Sequence, residues 1–565
     1  MTSIISLKKV RCKNCHKCIR SCPVNSIMYK DDQAQIMPEQ CVLCGHCLNT
    51  CPQNAKTVLS DIFKIRGYIK SHATTVVSIA PSFSGLLKKP GLTCAVLKQL
   101  GFTYVQETSQ GAAYVSAEYS RLLELGTMDN MITTCCPTIN MLLEKYYPDL
   151  LPMMAPVVSP MIAHAKLLRE QYGPDAKIIF AGPCISKKEE ARDPRHAGLI
   201  DAVLTFEELV SWVQESGIDL DSLTPVPFDN PSPKSARMYP VTSGIVTTML
   251  AQKGFFGYKP LCVDDVENCK ALFEDLRKGS IHGCFIEVNA CPGGCINGPV
   301  SGHAAGRFSA QLAVEDYTGD EKDEFPDLPK SNDLAMHFAD ASTQENMPTE
   351  EQIRQILRRI GKESKEDELN CGACGYSTCR EKAISIFQGK SEPTMCLPYM
   401  KELAQSLSNS ILKVTPNVIF VVDEDLRIRE FNEQAERVFG ITRKEALDTY
   451  LYELIDTTDY EHIIQNRSAY LDRIVTYDNL GITFSANILY MPEQRMVLGI
   501  LKDITAEEQA KANHHQLQMD TIAMAQKVID KQMTVAQEIA GLLGETTAET
   551  KVTLSKLKDM VAKEE

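Results

Sequence analysis

Residues 12–23 read CKNCHKCIRSCP, and residues 41–52 read CVLCGHCLNTCP. Both stretches have four cysteines in the spacing Cys-x2-Cys-x2-Cys-x3-Cys, and proline follows the last cysteine of each. The chain has 21 cysteines, all of which precede Leu397. The cysteine chemistry is therefore confined to the first part of the chain, and a region without thiols follows it.

This repeated spacing is typical of bacterial proteins that hold two [4Fe-4S] clusters, in which the fourth cysteine of each run binds the other cluster. The spacing predicts a two-cluster ferredoxin domain over residues 1–60. One cluster is expected at Cys12, Cys15, Cys18 and Cys51, and the other at Cys41, Cys44, Cys47 and Cys22. A secreted disulfide scaffold is disfavoured because Met1 to Val10 lacks the apolar core of an export signal. Zinc is disfavoured because its cysteines usually occur in separated pairs.

Length and charge limit the classes of function. The 565 residues predict about three to five domains. The net charge of -14 argues against nucleic acid or an anionic membrane surface as a partner, because both are negatively charged. No run of about eighteen apolar residues predicts a membrane span. So many thiols indicate a reducing cytoplasm.

Apolar runs followed by loops indicate an α/β region over residues 70–315. Strands are predicted at Thr74 to Ala80, Met131 to Thr134 and Lys177 to Ala181, and helices at Asn140 to Tyr147 and Phe206 to Glu215. The alternation predicts a parallel sheet. Its chemistry should lie at the carboxyl ends of the strands.

Three cysteine-bearing loops lie in that region: TCCP at residues 134–137, GPCISKK at 182–188 and NACPGGC at 289–295. A single buried cysteine is commonly only a small apolar residue. In this order, downstream of the two cysteine runs, the loops resemble those of the [FeFe]-hydrogenase family, and the similarity covers about residues 1 to 315. We therefore expect a two-lobed H-cluster domain over residues 70–315.

The resemblance implies a third cubane, held by Cys136, Cys184, Cys291 and Cys295. Cys295 would also bridge to a diiron subcluster with CO, cyanide and dithiolate ligands. Lys187 and Ser82 occupy positions where the family hydrogen-bonds the cyanides. Cys135 occupies the position that passes protons to the bridging amine, although packing beside a metal ligand is the alternative.

Departures from the family pattern affect the proton path. Tyr119 and Leu122 stand where typical members have two glutamates, and Ala155 stands in place of a serine. Cys135 and Glu190 are then the retained ends of an interrupted chain of proton carriers. We expect slow turnover.

A second group of departures concerns the pocket wall. Gly182 and Asn289 replace two shielding methionines, and Met161 replaces a glutamine. These changes predict a pocket of altered polarity, which would shift the potential of the metal centre.

A further four-cysteine set follows at Cys371, Cys374, Cys379 and Cys396. It resembles a small [4Fe-4S] domain, assigned to residues 351–405, although one closed four-thiolate site also suits zinc. An acidic, proline-containing linker is predicted over residues 316–350, with a short helix near residues 351–359. The remaining cysteines are interpreted as core residues: Cys94, Cys262, Cys269 and Cys284.

Residues 406–508 resemble a PAS domain. Strands are predicted at Asn417 to Asp423, within 425–430, at Ile482 to Tyr490 and at Val497 to Ile504, and helices between Phe431 and Gly440. The absence of cysteine excludes flavin-adduct photochemistry. His462 is interpreted as a packing or solvent-facing residue rather than a haem ligand. The expected role is an unliganded fold that dimerises.

Residues 509–565 predict coiled-coil helices. Apolar residues alternate by three and four between Ile522 and Leu543, except at Gln532, and a second helix is expected at Ala548 to Val561. No histidine lies between Val535 and Lys551, so a sensor-kinase phosphoacceptor is not indicated. A plain dimerisation tail and a signalling role both remain open.

The sequence thus predicts a multidomain α/β and α+β protein: ferredoxin, H-cluster, small cluster, PAS and coiled-coil parts. The predicted function is slow interconversion of H2 with protons and electrons, as a hydrogen or redox sensor. The alternatives are a non-catalytic redox or gas-sensing protein, a ferredoxin-linked hydrogenase with ordinary turnover, and a relative that serves iron-sulfur assembly. Expected partners are a ferredoxin-like electron carrier, a second copy of the chain and a signalling protein in trans.

Overall fold

The computed structural model describes residues 3–30, 33–87, 89–230, 233–302, 306–319, 334–343, 346–543 and 547–561. The chain forms two compact units, Met1–Tyr399 and Met400–Glu565, and each is described by itself. Among the described residues, we find no helix with the length and hydrophobicity that a bilayer span needs.

The first unit begins with an N-terminal cysteine-rich segment, residues 3–58. Its elements are β1 (Ile5–Leu7), α1 (Lys17–Arg20), β2 (Ile27–Lys30), β3 (Gln33–Ile36), α2 (His46–Asn49) and β4 (Lys56–Val58). β1 pairs antiparallel with β4, and β2 pairs antiparallel with β3. Each short helix contains the third cysteine of its run, Cys18 or Cys47. The two runs therefore have matching local structure.

An α/β domain follows, residues 61–319. Its strands are β5 (Thr75–Ile79), β6 (Tyr104–Glu107), β7 (Met131–Ile132), β8 (Lys177–Gly182), β9 (Ala202–Thr205), β10 (Lys259–Asp264) and β11 (Cys284–Asn289). Its helices are α3 (Ile62–Lys70), α4 (Phe83–Leu86), α5 (Thr93–Gln99), α6 (Ser109–Leu125), α7 (Pro137–Tyr146), α8 (Pro160–Tyr172), α9 (Ser186–Glu190), α10 (Phe206–Glu215), α11 (Gly244–Gln252), α12 (Val266–Arg277) and α13 (Arg307–Thr318).

Two parallel sheets form the lobes of this domain. One has the order β6-β5-β8-β9 and the other the order β10-β11-β7. Every residue of β5 is buried, as expected for a parallel strand covered on both faces. The prediction of an α/β domain with parallel pairing is confirmed. Because parallel strands end at one edge, the loops after β5, β7, β8 and β11 come together there.

The predicted linker, residues 316–350, corresponds only in part to a free connection. Residues 316–318 belong to α13, and 320–333 and 344–345 lie outside the described residues. The backbone N–H of Val158 donates to Leu334 O at 2.9 Å, and that of Met336 donates to Pro156 O at 3.0 Å. Residues 334–341 are therefore hydrogen-bonded to the α/β domain, because their backbone groups pair with a loop that otherwise lacks partners.

A four-cysteine segment, residues 346–399, completes the first unit. It contains α14 (Glu350–Arg359), α15 (Cys379–Phe387) and the first residues of α16 (Leu397–Val414). Thr349 and Gln352 form a reciprocal capping box at the start of α14, which accounts for the helix boundary. α16 begins directly after Cys396.

The second unit contains a five-stranded antiparallel sheet of order β13-β12-β16-β15-β14. Its elements are β12 (Val418–Asp423), β13 (Ile428–Phe431), α17 (Glu433–Phe439), α18 (Arg443–Ala446), α19 (Thr458–Asn466), β14 (Ala469–Tyr477), β15 (Ile482–Met491) and β16 (Met496–Asp503). Buried rings of Phe420, Phe431, Tyr460 and Phe484 fill its core. His462 hydrogen-bonds Tyr470, with 2.8 Å between Nδ1 and the hydroxyl, in agreement with a packing role.

The C-terminal helices are α20 (Thr505–Leu543) and α21 (Thr547–Val561). Residues 544–546, predicted as the turn between them, lie outside the described residues. Apolar side chains on α20 are exposed in the single chain, for example Val528 at 55% and Ile539 at 52%. The helices agree with the sequence pattern, and the coiled coil stays a prediction.

Candidate metal centre

The three cysteine loops and the loop after β5 surround one cavity in the α/β domain. Its lining includes Ser82, Cys135, Cys136, Cys184, Lys187, Cys291 and Cys295. Each follows the carboxyl end of a strand: β5, β7, β8 or β11. The topology thus brings together residues that lie more than two hundred positions apart in sequence.

Four thiols form a group at this cavity: Cys136, Cys184, Cys291 and Cys295. Burial raises the pKa of Cys295, and the nearby thiolates of Cys136 and Cys184 raise it further. Burial also raises the pKa of Cys291, with added contributions from Cys295, Cys184 and Cys136. Such mutual repulsion requires that the thiols be close, and a bound cation would relieve it. This is the predicted ligand set.

Cys136 lies at the N-cap of α7, immediately before Pro137 in the first turn. Proline is favoured there because its missing N–H has no helical partner. The backbone N–H groups of Ile139 and Ala290 lower the pKa of Cys136, although burial raises it overall. The loop therefore presents its thiol to groups that stabilise a thiolate.

The loop that contains Cys291 and Cys295 requires a glycine at Gly294. This residue has φ +91°, and a Cβ atom there would lie 2.4 Å from Pro240 O. The backbone N–H of Ile296 donates to the same carbonyl at 3.1 Å. The Pro-Gly-Gly sequence between the two cysteines thus allows the close backbone approach that places Cys295 at the cavity.

Lys187 is buried, with 8% exposure, and its ammonium group is fixed by three acceptors. Nζ lies 2.7 Å from Glu190 Oε2, 2.8 Å from Ser159 Oγ and 3.4 Å from Cys135 O. Burial lowers the pKa of Lys187, but the Glu190 carboxylate reverses this effect, so the pKa is raised overall and the amine stays charged. Removing Glu190 would leave an unpaired buried charge, at a cost of about 3–5 kcal/mol.

Ser82 is fully buried at the cavity wall, and its hydroxyl has no hydrogen-bond partner. A buried hydroxyl without a partner costs about 1–3 kcal/mol. The donor is therefore available to a group inside the cavity.

Cys135 is the buried thiol beside this cavity that is not in the four-cysteine group. The Tyr119 hydroxyl lies 3.3 Å from its sulfur and also accepts the Thr134 N–H at 2.9 Å. Burial raises the pKa of Cys135 to about 12, while Tyr119 and Lys187 act to lower it. Tyr119, predicted to interrupt the proton path, in fact contacts the thiol; Leu122 and Ala155 contribute only apolar packing.

Glu287 is a functional candidate that the sequence reasoning missed. It is fully buried in β11, where its carboxylate accepts the Val246 N–H at 3.0 Å and the Asn289 side-chain amide at 3.3 Å. Burial raises its pKa to about 7. Its charge in turn raises the pKa of Cys135. A lone glutamate in the buried strand CFIEVN, four residues before Cys291, was the available signal.

The predicted repolarisation of the pocket holds only in part. A Cβ at Gly182 would lie 2.7 Å from the Phe180 ring, so an aromatic ring fills the space that a longer side chain would take. Phe180 and Met161 line the cavity as apolar groups, and Asn289 adds an amide. The wall is therefore mixed rather than uniformly more polar.

The N-terminal thiols fall into the two predicted groups. Burial raises the pKa of Cys18, and Cys12, Cys51 and Cys15 raise it further. Burial likewise raises the pKa of Cys44, with contributions from Cys22, Cys47 and Cys41. The fourth cysteine of each run thus lies with the first three of the other run.

The last set, Cys371, Cys374, Cys379 and Cys396, lines a small cavity of its own. The buried Lys382 ammonium donates to Glu392 O at 2.9 Å, and burial lowers its pKa to about 8. Of the other cysteines, Cys94 and Cys269 are buried as predicted, whereas Cys262 and Cys284 are partly exposed. In the described parts of the chain, no three Cys, His, Asp or Glu side chains are close enough to bind a single metal ion.

Comparison with known families agrees with this arrangement. Residues 73–299 match the family described as iron only hydrogenase large subunit, C-terminal domain. Residues 11–55 match a 4Fe-4S dicluster domain, residues 367–398 an Fe-S cluster domain and residues 406–473 the PAS fold.

Similar proteins include enzymes and an assembly factor. The periplasmic [Fe] hydrogenase large subunit of Nitratidesulfovibrio vulgaris is 29% identical over 37% of this chain and 61% of its own length. The cytosolic Fe-S cluster assembly factor NAR1 of Vanderwaltozyma polyspora is 30% identical over 28% of this chain and 30% of its own length. This chain thus spans less than two thirds of either relative.

A solved structure of an apo [FeFe]-hydrogenase HydA1 variant from Chlamydomonas reinhardtii aligns over its full length and 50% of this chain, with 19% identity and a TM-score of 0.42. The family matches, together with the thiol groups described above, identify the chain at the level of its domains. Residues 73–299 belong to the iron-only hydrogenase large-subunit family, and the chain is a hydrogenase-like iron-sulfur protein that joins this domain to a 4Fe-4S dicluster domain, a further Fe-S cluster domain and a PAS fold.

Proposed function

We propose that the α/β domain holds a cubane through Cys136, Cys184, Cys291 and Cys295, with a diiron subcluster bridged through Cys295, and that the protein interconverts H2 with protons and electrons. When bound, such a centre supplies the two-electron chemistry H2 ⇌ 2H⁺ + 2e⁻. The observation that carries the proposal is the meeting of these thiols with Cys135, Lys187 and Ser82 around one cavity.

The residues present fit such a group. An all-thiolate set is the ligand type that iron-sulfur clusters take. Lys187 and Ser82 provide donors at the cavity wall, and the Ser82 hydroxyl has no protein partner. A bound ligand with hydrogen-bond acceptors would satisfy that hydroxyl. Cyanide groups have this property.

Proton handling is assigned to Cys135, with Tyr119 and Glu287 as its buried neighbours. The Tyr119 hydroxyl stabilises the thiolate, and the Glu287 charge opposes it. Both effects adjust the affinity of the thiol for a proton. Glu190 holds Lys187 in place and also lines a second, polar cavity. Since Leu122 and Ala155 cannot carry protons, we expect turnover to be slow.

The sensory part of the proposal rests on the second unit. The PAS domain, assigned to residues 406–508, and the helices of residues 509–565 would respond to hydrogen or redox state and act on a separate protein. The exposed apolar side chains of α20 support dimerisation through that helix. A ferredoxin-like carrier would exchange electrons with the clusters.

An iron-sulfur assembly role is the second candidate, because one relative is named as such a factor. Cys135, Lys187 and Ser82 argue against it, since cluster assembly has no need of a proton-transfer thiol and buried donors at the cavity. A hydrogen-uptake assay with a mediator dye, on anaerobically matured protein, separates the candidates. We expect slow but measurable uptake; none, with a full metal complement, would favour a non-catalytic role.

A further inference from the structure

The four-cysteine segment packs directly on the N-terminal cysteine-rich segment, although some 310 residues separate them in sequence. The Arg20 guanidinium joins the two: Nη1 donates to Ala373 O at 3.0 Å and Nη2 to Cys15 O at 3.4 Å. The backbone N–H of Tyr29 donates to Lys390 O at 2.8 Å. Arg20 thus contacts the backbone of a cysteine loop on each side.

The apolar part of this contact is tight. A Cβ at Gly375, which has φ +98°, would lie 2.8 Å from Ile19 Cγ2. Ile19 itself is buried, beside Tyr376 and Met395 of the four-cysteine segment. Gly375 follows Cys374, and Ile19 follows Cys18, so the closest approach involves residues next to predicted ligands of two different clusters.

Charges also act across the contact. Burial lowers the pKa of His16, and Lys382 of the four-cysteine segment lowers it further. Burial raises the pKa of Tyr376, and Cys374 and then Cys22 raise it further. The cysteine sites therefore share one electrostatic environment.

The N-terminal segment contacts the α/β domain on its other side. Lys145 Nζ of α7 donates to Cys41 O at 2.7 Å, and Cys44 lines the cavity that contains Cys136 and Cys291. The site formed by Cys22, Cys41, Cys44 and Cys47 is therefore the N-terminal site adjacent to the candidate metal centre.

We propose that the cluster of the four-cysteine segment is the outer end of one electron path, which runs from the α/β domain through the Cys44 site and then the Cys18 site. This inference rests on the proposed function, because it requires clusters at these cysteines. In each outward step one electron moves: the Cys18 cluster goes from the 1+ to the 2+ state as the Cys374 cluster goes from 2+ to 1+, and no bond forms or breaks. Electrons would enter or leave beside Cys396, the residue that precedes α16.

The test is low-temperature electron paramagnetic resonance of the reduced full-length protein, because neighbouring paramagnetic clusters broaden and relax one another. Cys379→Ala should remove about four iron atoms. It should also sharpen and slow the relaxation of the signal from the cluster at Cys12, Cys15, Cys18 and Cys51. Unchanged N-terminal signals after that loss of iron would overturn the path while leaving the cluster assignments intact. Zinc, or no metal, at this site in the parent protein would overturn both, and metal analysis distinguishes that outcome.

A matched pair of glycine variants tests the contact itself. Gly375→Ala and Gly389→Ala both place a side chain at positive φ in the same segment, but only the first collides with Ile19; nothing lies within 4 Å of the Gly389 position. Gly375→Ala should weaken the magnetic interaction at full iron content, and Gly389→Ala should preserve it. Equal spectra for the two variants would contradict the proposed route across Ile19 and Gly375.

Discussion

The hydroxyl of Tyr119 lies 3.3 Å from the sulfur of Cys135, in a fully buried position between α6 and the loop after β7. This contact places a hydrogen-bonding group beside the thiol to which the proposal assigns proton transfer. It also means that replacing a glutamate at this position has not left the thiol without a polar neighbour.

Tyr119→Phe should slow hydrogen turnover roughly tenfold, because loss of one hydrogen bond to the thiolate costs about 1–2 kcal/mol. The control is Tyr114→Phe, on the same helix and with its hydroxyl bonded to Gln110. The rate is measured on matured protein with a mediator dye. Equal rates in the two variants would remove Tyr119 from the proton path.

Cys135→Ala should lower the rate further, by about 10²–10⁴-fold, the usual contribution of a positioned acid or base. The metal content should stay unchanged, since Cys135 lies outside the four-thiol group. An unaltered rate would mean that Cys135 only packs beside Cys136.

Glu287→Gln should change how stability depends on pH. Burial raises the pKa of Glu287 from 4.5 to about 7, so the folded state holds its proton more tightly than the unfolded state. Its stabilising contribution is full below the unfolded pKa and is lost as pH rises to the folded pKa, by roughly 3 kcal/mol. In metal-free protein, the parent should lose more thermal stability than the variant between about pH 4.5 and 7. Parallel curves would place the pKa of Glu287 near its ordinary value.

Metal analysis should return iron and sulfide for four cubanes plus the two irons of the diiron unit, because four complete cysteine sets are present. The decisive alternative is zinc at Cys371, Cys374, Cys379 and Cys396. Zinc there, with iron only at the remaining sets, would contradict the C-terminal cluster assignment.

The tail prediction concerns α20. Single cysteines placed between Ile522 and Leu543 should crosslink two chains, because its apolar side chains are exposed in the single chain. The crosslinking pattern should differ between hydrogen and an oxidant if the helix carries a signal. A dimer with identical patterns would indicate a plain dimerisation tail, and a monomer in both conditions would contradict the coiled coil.

Local signals predicted much of the fold and the ligand groups. Helix α10 was predicted with its observed ends, because Thr205 and Glu208 form a capping box and the helix has one apolar face. β8 was recognised as an apolar, β-branched run that ends at a cysteine loop. The thiol groups followed from cysteine spacing and from the family resemblance.

Features that depend on distant contacts were missed. The environment of Glu287 arises where β11 meets the start of α11, some 40 residues away. β14 lacks an apolar signal because most of its side chains are exposed. The binding of residues 334–341 to the α/β domain uses backbone hydrogen bonds, which no side-chain pattern reveals.

The central claim is that the cavity beside Cys295 holds a diiron centre with CO and cyanide ligands. Infrared spectroscopy of anaerobically matured protein tests it directly, because those ligands absorb where protein groups do not. We expect CO and cyanide bands in the parent protein and their loss in Cys295→Ala. Protein that contains its full cubane iron but shows no such bands would contradict the account.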